Sequence, residues 1–185
     1  MTAGAPVSAA DPTVAVATLV RAAQDGNRAA FGQLYVRYRG MVHAIALSSL
    51  PVDEAADVVQ DVFLKALREL KRLRDGGAFG GWIAAIARNA VVDVQRRRLA
   101  GSAADEPAGR PSQHDKLEAR RALRAVRSLP RVYREPLLMR LVEGMTGPEI
   151  ADRTGLTPGS VRVTLHRGMK LLLRRLESSD ERIAS

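Results

Sequence analysis

The chain has 185 residues, enough for one or two domains that fold without covalent staples. It holds no cysteine, which excludes disulfides, thiol nucleophiles and thiolate metal sites, and its three histidines have no ligand-like spacing. Net charge is +9, divided into +4 over residues 1–98, −1 over 99–116 and +6 over 117–185, so two basic blocks flank a slightly acidic strip. That pattern predicts two polyanion-facing modules and a neutral connector. No apolar run reaches membrane-spanning length, and the first residues lack the basic-then-apolar order of a signal peptide. A cytoplasmic protein with no membrane insertion is expected.

Residues 1–17 are small, Pro-punctuated and aperiodic, and are expected to form a disordered tail. Apolar residues then recur at helical spacing as far as Leu50: Leu19, Ala22 or Ala23, Phe31, Leu34, Tyr35, Tyr38, Val42 and Ile45. Gly26-Asn27 breaks this run into two helices. The next helix opens near Pro51 and Asp53 and runs to about Leu73, with Val59, Val62, Phe63, Ala66, Leu67 and Leu70 expected on its buried face. Gly76-Gly77 ends it. Residues 79–98 predict a further helix with Trp82, Ile83, Ile86, Ala90 and Val94 as its apolar stripe.

Residues 99–116 are rich in Gly, Ser, Pro and Ala without periodicity, and are expected to be a flexible linker. Asp115 and Glu118 have capping-box spacing and predict a helix start, and Pro130 stops that helix after Leu129. Residues 131–143 predict another helix, with Pro136 near its first turns. No stretch alternates with period two. The expected fold is all-α, with two small helical domains at 18–98 and 117–177 and a polar tail at 178–185.

Residues 146–168 carry the most information. Thr146 and Glu149 form a T-x-x-E capping box, Gly155 suits a tight turn, and Thr157 with Pro158 supplies a second helix start. Val161 and Leu165 are spaced to pack back on the preceding helix, while Arg162, Val163, His166 and Arg167 share the opposite face. This is a helix-turn-helix pattern, which places its second helix in the DNA major groove. Arginines one turn apart suit bidentate contact with guanine or contact with phosphate, and Val163 could pack on a thymine methyl. His166 can donate to a base edge or a phosphate.

A helix-turn-helix alone does not separate repressors, activators and response regulators; the first domain does. Residues 52–67 (VDEAADVVQDVFLKAL) followed by 79–98 (FGGWIAAIARNAVVDVQRRR) resemble regions 2.2 through 2.4 of extracytoplasmic-function (ECF) sigma factors of bacterial RNA polymerase. Residues 129–176 resemble region 4 of the same family, and the likeness covers about 28–98 and 117–176, in the expected order. Asp57 and Asp61 lie one turn apart with Gln60 beside them, opposite the apolar stripe. By position alone they would be a solvated flank with local ion pairs to Lys65. The resemblance implies instead that Asp57, Gln60 and Asp61 dock on the basic coiled coil of the core RNA polymerase clamp, where opposite charge speeds encounter and fixes register.

The resemblance further implies that Arg88, Asn89, Asp93, Arg96 and Arg97 hold the −10 promoter element as it melts. Arginines grip phosphates, and an asparagine can both donate to and accept from an extruded base edge. Trp82 lies on the apolar stripe and is expected in the core; Phe79, beside glycines, is left open between core and a base-stacking platform. By the same likeness Arg162, Val163, His166 and Arg167 read the −35 duplex, and an anti-sigma factor is a further expected partner. Val163 and Thr164 stand where a Ser-Arg pair is usual, Met169 where an arginine is usual, and Leu67 where a tryptophan is common. The first three changes bear on the −35 sequence; the Leu67 change is expected to alter packing only.

Eighteen linker residues span at most about 60 Å at ~3.3–3.6 Å each, close to 17–18 base pairs at roughly 3.4 Å per pair. Two modules could therefore sit on separate promoter elements. No catalytic constellation, metal site or cofactor motif is expected. The alternatives are a free-standing helix-turn-helix regulator with a sensing or oligomerising N-terminal bundle and, less compatible with the residues present, an all-α enzyme.

Overall fold

The computed structural model describes residues 12–100 and 113–181, and every regular element among them is helical. The N-terminal module comprises α1 (Pro12–Gln24), α2 (Arg28–Leu47), α3 (Val52–Glu69) and α4 (Phe79–Ala100), with two 3-10 turns, Leu70–Arg72 and Gly76–Ala78, between α3 and α4. Helix α2 packs on each of the other three. The C-terminal module comprises α5 (Gln113–Arg127), α6 (Arg131–Leu141), α7 (Gly147–Thr154) and α8 (Pro158–Glu181), with α6 and α8 at its centre.

The helix limits follow local chemistry. Asn27 caps α2 by accepting from the Ala30 N–H at 3.1 Å, and the Gly26 before it has φ +94°. Asp75 caps the second 3-10 turn through the Gly77 N–H at 2.9 Å. Gln24, at the end of α1, donates from its amide to the carbonyls of Leu70 and Leu73 at 2.9 and 2.8 Å. These two bonds tie the first helix to the turn that feeds α4.

Several boundaries differ from the sequence reading. Helix α1 starts at Pro12, so residues 12–17 belong to it rather than to an aperiodic tail. Val16 and Val20 are buried against the bundle, and proline is favoured at a first helical position. Residues 1–11 lie outside the described residues. Helix α4 continues through Leu99 and Ala100, and α5 starts at Gln113, so both ends of the expected linker are helical. Asp115 therefore stands inside α5 instead of capping it, and residues 101–112 lie outside the described residues.

The structure also corrects the placement of Leu67 and Pro136 and decides that of Phe79. Leu67 is 50% exposed although it was expected to be buried: Phe63, Ala66 and Leu70 face inward and Leu67 falls past the edge of that stripe. Its difference from the family's tryptophan is thus a change of surface, not of packing. Phe79 is fully buried, with ring centroids 5.1 Å from Tyr38 and 5.7 Å from Trp82, so it is a core residue and no stacking platform. Pro136 falls in the second turn of α6, beyond the positions whose N–H groups are free anyway.

The two modules touch. Helix α6 lies against α2, and α7 packs on both α2 and α4, so one apolar cluster runs from Val16 to Leu172.

Candidate nucleic-acid interface

The helix-turn-helix is built as its sequence predicts. The Thr146 hydroxyl accepts from the Glu149 N–H at 3.4 Å, while the Glu149 carboxylate accepts from the Thr146 N–H at 2.8 Å and from its hydroxyl at 2.9 Å. Those bonds, led by the backbone one, hold the Glu149 carboxyl below the usual glutamate range, and the nearby Arg153 charge adds to the effect. Gly155 ends α7 at φ +74°, where a Cβ would be strained, and its N–H reaches the Ala151 carbonyl at 2.9 Å. Thr157 then caps α8, accepting from the Ser160 N–H at 3.1 Å.

Val161 is fully buried and Leu172 nearly so, which fixes the rotation of α8. At about 100° per residue the opposite face carries Arg162, Val163, His166 and Arg167, all exposed. Among the described residues no intramolecular hydrogen bond or ion pair occupies Arg162, His166 or Arg167. Their donors are therefore available to a ligand. Lys170, three residues beyond Arg167 on the same face, is also exposed and extends the basic stripe by a turn. The sequence reading stopped short of it, although the same periodicity identifies it.

On α4 the five expected residues do not form one group. Asn89, Asp93, Arg96 and Arg97 are exposed and lie within about 100° of one another around the helix. Arg96 is paired with Asp93, and the Arg97 Nε–H reaches the Asp93 carbonyl at 3.4 Å. Arg88 points elsewhere. Its guanidinium makes a two-pronged contact with Glu135 of α6, Nε to Oε1 at 3.1 Å and Nη2 to Oε2 at 2.8 Å. The hydrogen bonds to Glu135 raise the arginine's pKa further, so it stays charged. Beside this pair lies an open cleft of about 370 Å³ lined by Val132, Pro136, Met139, Thr154 and Leu156, with Arg131 at its edge.

Asp57, Gln60 and Asp61 are all exposed on α3. Neither aspartate pairs with Lys65, so the local ion pairs expected of a merely solvated flank are not formed. Leu64 and Leu67 are 57% and 50% exposed beside them. The face is thus acidic with an apolar centre, a composition suited to a docking surface. Leu64 was not anticipated; it is legible as an apolar residue on the polar side of α3. Among the described residues no group of acidic or histidine side chains could hold a metal ion.

Two basic helical modules, one a helix-turn-helix, define a DNA-binding protein. A family model for sigma-70 region 2 matches residues 34–100, and one for sigma-70 region 4 matches residues 119–172. The chain is 32% identical to the ECF RNA polymerase sigma factor ShbA of Streptomyces griseus, over 88% of this chain and 95% of that protein. It is 30% identical to the ECF RNA polymerase sigma-E factor of Escherichia coli, over 83% and 90% respectively. The solved structure of CnrH in complex with the cytosolic domain of CnrY superposes with a TM-score of 0.60 at 27% identity, covering 89% of this chain and 98% of that one. The chain belongs to the ECF group of the sigma-70 family. It is a transcription initiation factor that directs RNA polymerase to promoters by recognising −10 and −35 elements.

Proposed function

We propose a division of this activity among three faces, within a region 2 domain at about 12–100 and a region 4 domain at about 113–181. Asp57, Gln60 and Asp61, with Leu64 and Leu67 as apolar contacts, dock on the basic clamp coiled coil of core polymerase. Asn89, Asp93, Arg96 and Arg97 engage the −10 element, joined by Arg88 once that side chain leaves Glu135. Arg162, Val163, His166 and Arg167 read the −35 duplex. The observation that carries the reading is the unoccupied basic face of α8, held outward by the buried Val161 and Leu172.

The protein contributes no catalysis of its own and works in the cytoplasm; polymerase makes the RNA. An anti-sigma factor is its regulatory partner. CnrH was solved with the cytosolic domain of CnrY, and the sigma factor RpoE of Bartonella quintana was solved with the anti-sigma factor NepR, which supports that reading.

Run-off transcription with purified core polymerase tests the proposal. Promoter-specific transcripts are expected only when both proteins are present. A regulator that binds operator DNA alone and gives core polymerase no promoter specificity would refute it.

A further inference from the structure

Helix α1 precedes the segment matched by the region 2 family model, which begins at residue 34, yet it is joined to the turn that leads into α4. The Gln24 side-chain amide has two N–H donors and directs them at two backbone carbonyls, Leu70 at 2.9 Å and Leu73 at 2.8 Å. These acceptors lie 46 and 49 residues away in sequence. The Leu73 N–H closes the same turn on the Leu70 carbonyl at 3.0 Å. Further along, Gly76 rests on α1 itself: a Cβ there would stand 2.9 Å from the Ala17 Cα and 3.1 Å from its carbonyl oxygen. The close approach of the helix therefore requires a glycine at this position.

The segment held in this way is basic. Lys71, Arg72 and Arg74 are exposed, and among the described residues no hydrogen bond or ion pair engages their side chains. Asp75, which follows them, is turned to the Gly77 N–H at 2.9 Å. Three such cations immediately before α4 suit contact with a nucleic-acid backbone. The segment ends in Gly76-Gly77, and glycine has the most backbone freedom to lose, so external support decides how well it is defined. A segment ordered in advance loses less entropy on binding than one ordered by its ligand.

We propose that Gln24 is a positioning residue of the region 2 DNA interface: with Gly76 seated on α1, it holds the turn 70–78 so that Lys71, Arg72 and Arg74 grip backbone phosphates beside the face of α4. Gln24 itself touches no DNA. An amide of this length suits the place: a glutamate would turn acceptors toward acceptors, and an apolar chain would take both donors away from the carbonyls. The inference adds α1 to the −10 surface and rests on the −10 role given above to α4.

The test uses holoenzyme assembled from the full chain and core polymerase, with a promoter duplex that the unaltered holoenzyme selects from a random-sequence library. The quantity read is the slope of log affinity against log salt, which reports phosphate contacts. The triple variant Lys71→Gln, Arg72→Gln, Arg74→Gln is expected to flatten that slope by about two to three units, at ~0.9 per phosphate. Two independent releases of the turn are compared with it. Gln24→Met keeps length and helix propensity without a donor, and Gly76→Ala forces the turn away from α1. Each should weaken binding several-fold and flatten the slope in the same direction, with helix content by circular dichroism and capture of core polymerase unchanged. Added to the triple variant, Gln24→Met should have no further effect, because it acts only through the turn. An equal loss in both backgrounds, or an unchanged slope for Gln24→Met and Gly76→Ala, would overturn the positioning role. An unchanged slope for the triple variant would overturn the phosphate contacts and the proposal with them. The −10 reading itself would then stand if Arg96→Gln with Arg97→Gln weakens binding, and fall if it does not.

Discussion

Arg167 is exposed on the free face of α8 and is held by no other side chain, so its donors reach a ligand without first breaking a bond. If it reads a base, Arg167→Ala is expected to weaken −35 duplex binding by about 1–3 kcal/mol and to relax preference at one base pair. Competition binding across single-base variants of the duplex checks this; an unchanged sequence preference would restrict Arg167 to phosphate contact. Asp61 presents the opposite case, an unpaired carboxylate on an acidic and apolar face. Asp61→Arg should impair association with core polymerase and leave −35 duplex binding by the full chain intact, as read by a polymerase pull-down beside a gel shift. Equal loss of both would contradict the separation of roles. Arg88 shows what residue type alone leaves out. Its place in the motif marked it as a DNA contact, whereas its partner in the folded chain is a carboxylate from the other module.

At the scale of the helix, capping determines where the DNA-reading element begins. Removing the Thr146 hydroxyl leaves an N–H at the start of α7 without its acceptor, so Thr146→Ala should cost about 1 kcal/mol in urea unfolding. The Glu149 carboxyl is lowered in the folded chain, so it binds a proton less readily there than in the unfolded chain. Its contribution is therefore complete above the ordinary glutamate pKa and is lost as pH falls through the lowered folded value. Melting temperatures from about pH 7 to 3 should show a smaller acid-induced drop for Glu149→Gln than for the unaltered chain. The helix-turn-helix was fully legible in the sequence because each signal in it is local: cap, αL glycine, second cap, buried valine. The start of α5 was not, because Asp115 and Glu118 have the spacing of a cap without deciding which residue begins the helix. In α1 the spacing of Val16, Leu19, Val20 and Ala23 carried the signal, but small residues and proline masked its first turn.

For the molecule as a whole, the contact between modules joins two helical bundles through one apolar cluster. Arg127 is partly buried and its pKa is pushed down by that desolvation, yet it donates to the carbonyl of Leu47, the last residue of α2, and to that of Leu50 beyond it. Arg127→Ala is expected to lower unfolding stability by about 1–3 kcal/mol and to broaden the transition as the modules uncouple. A single sharp transition at an unchanged midpoint would show that the contact carries no stability. The tether is also shorter than composition implied. With α4 reaching Ala100 and α5 starting at Gln113, residues 101–112 span at most about 40 Å when extended, so part of any distance between promoter elements falls to the modules themselves.

The sequence by itself determined the helices, their division into two basic modules and the outward face of α8. Those follow from periodicity, caps and charge within a few turns of chain. Only the tertiary structure decided that Phe79 is core, that Leu67 is surface, and that Arg88 is paired with a glutamate 47 residues away. Burial at the edge of a helical stripe depends on which neighbour arrives there, and an ion pair between modules depends on how they dock. Neither quantity is written in local spacing.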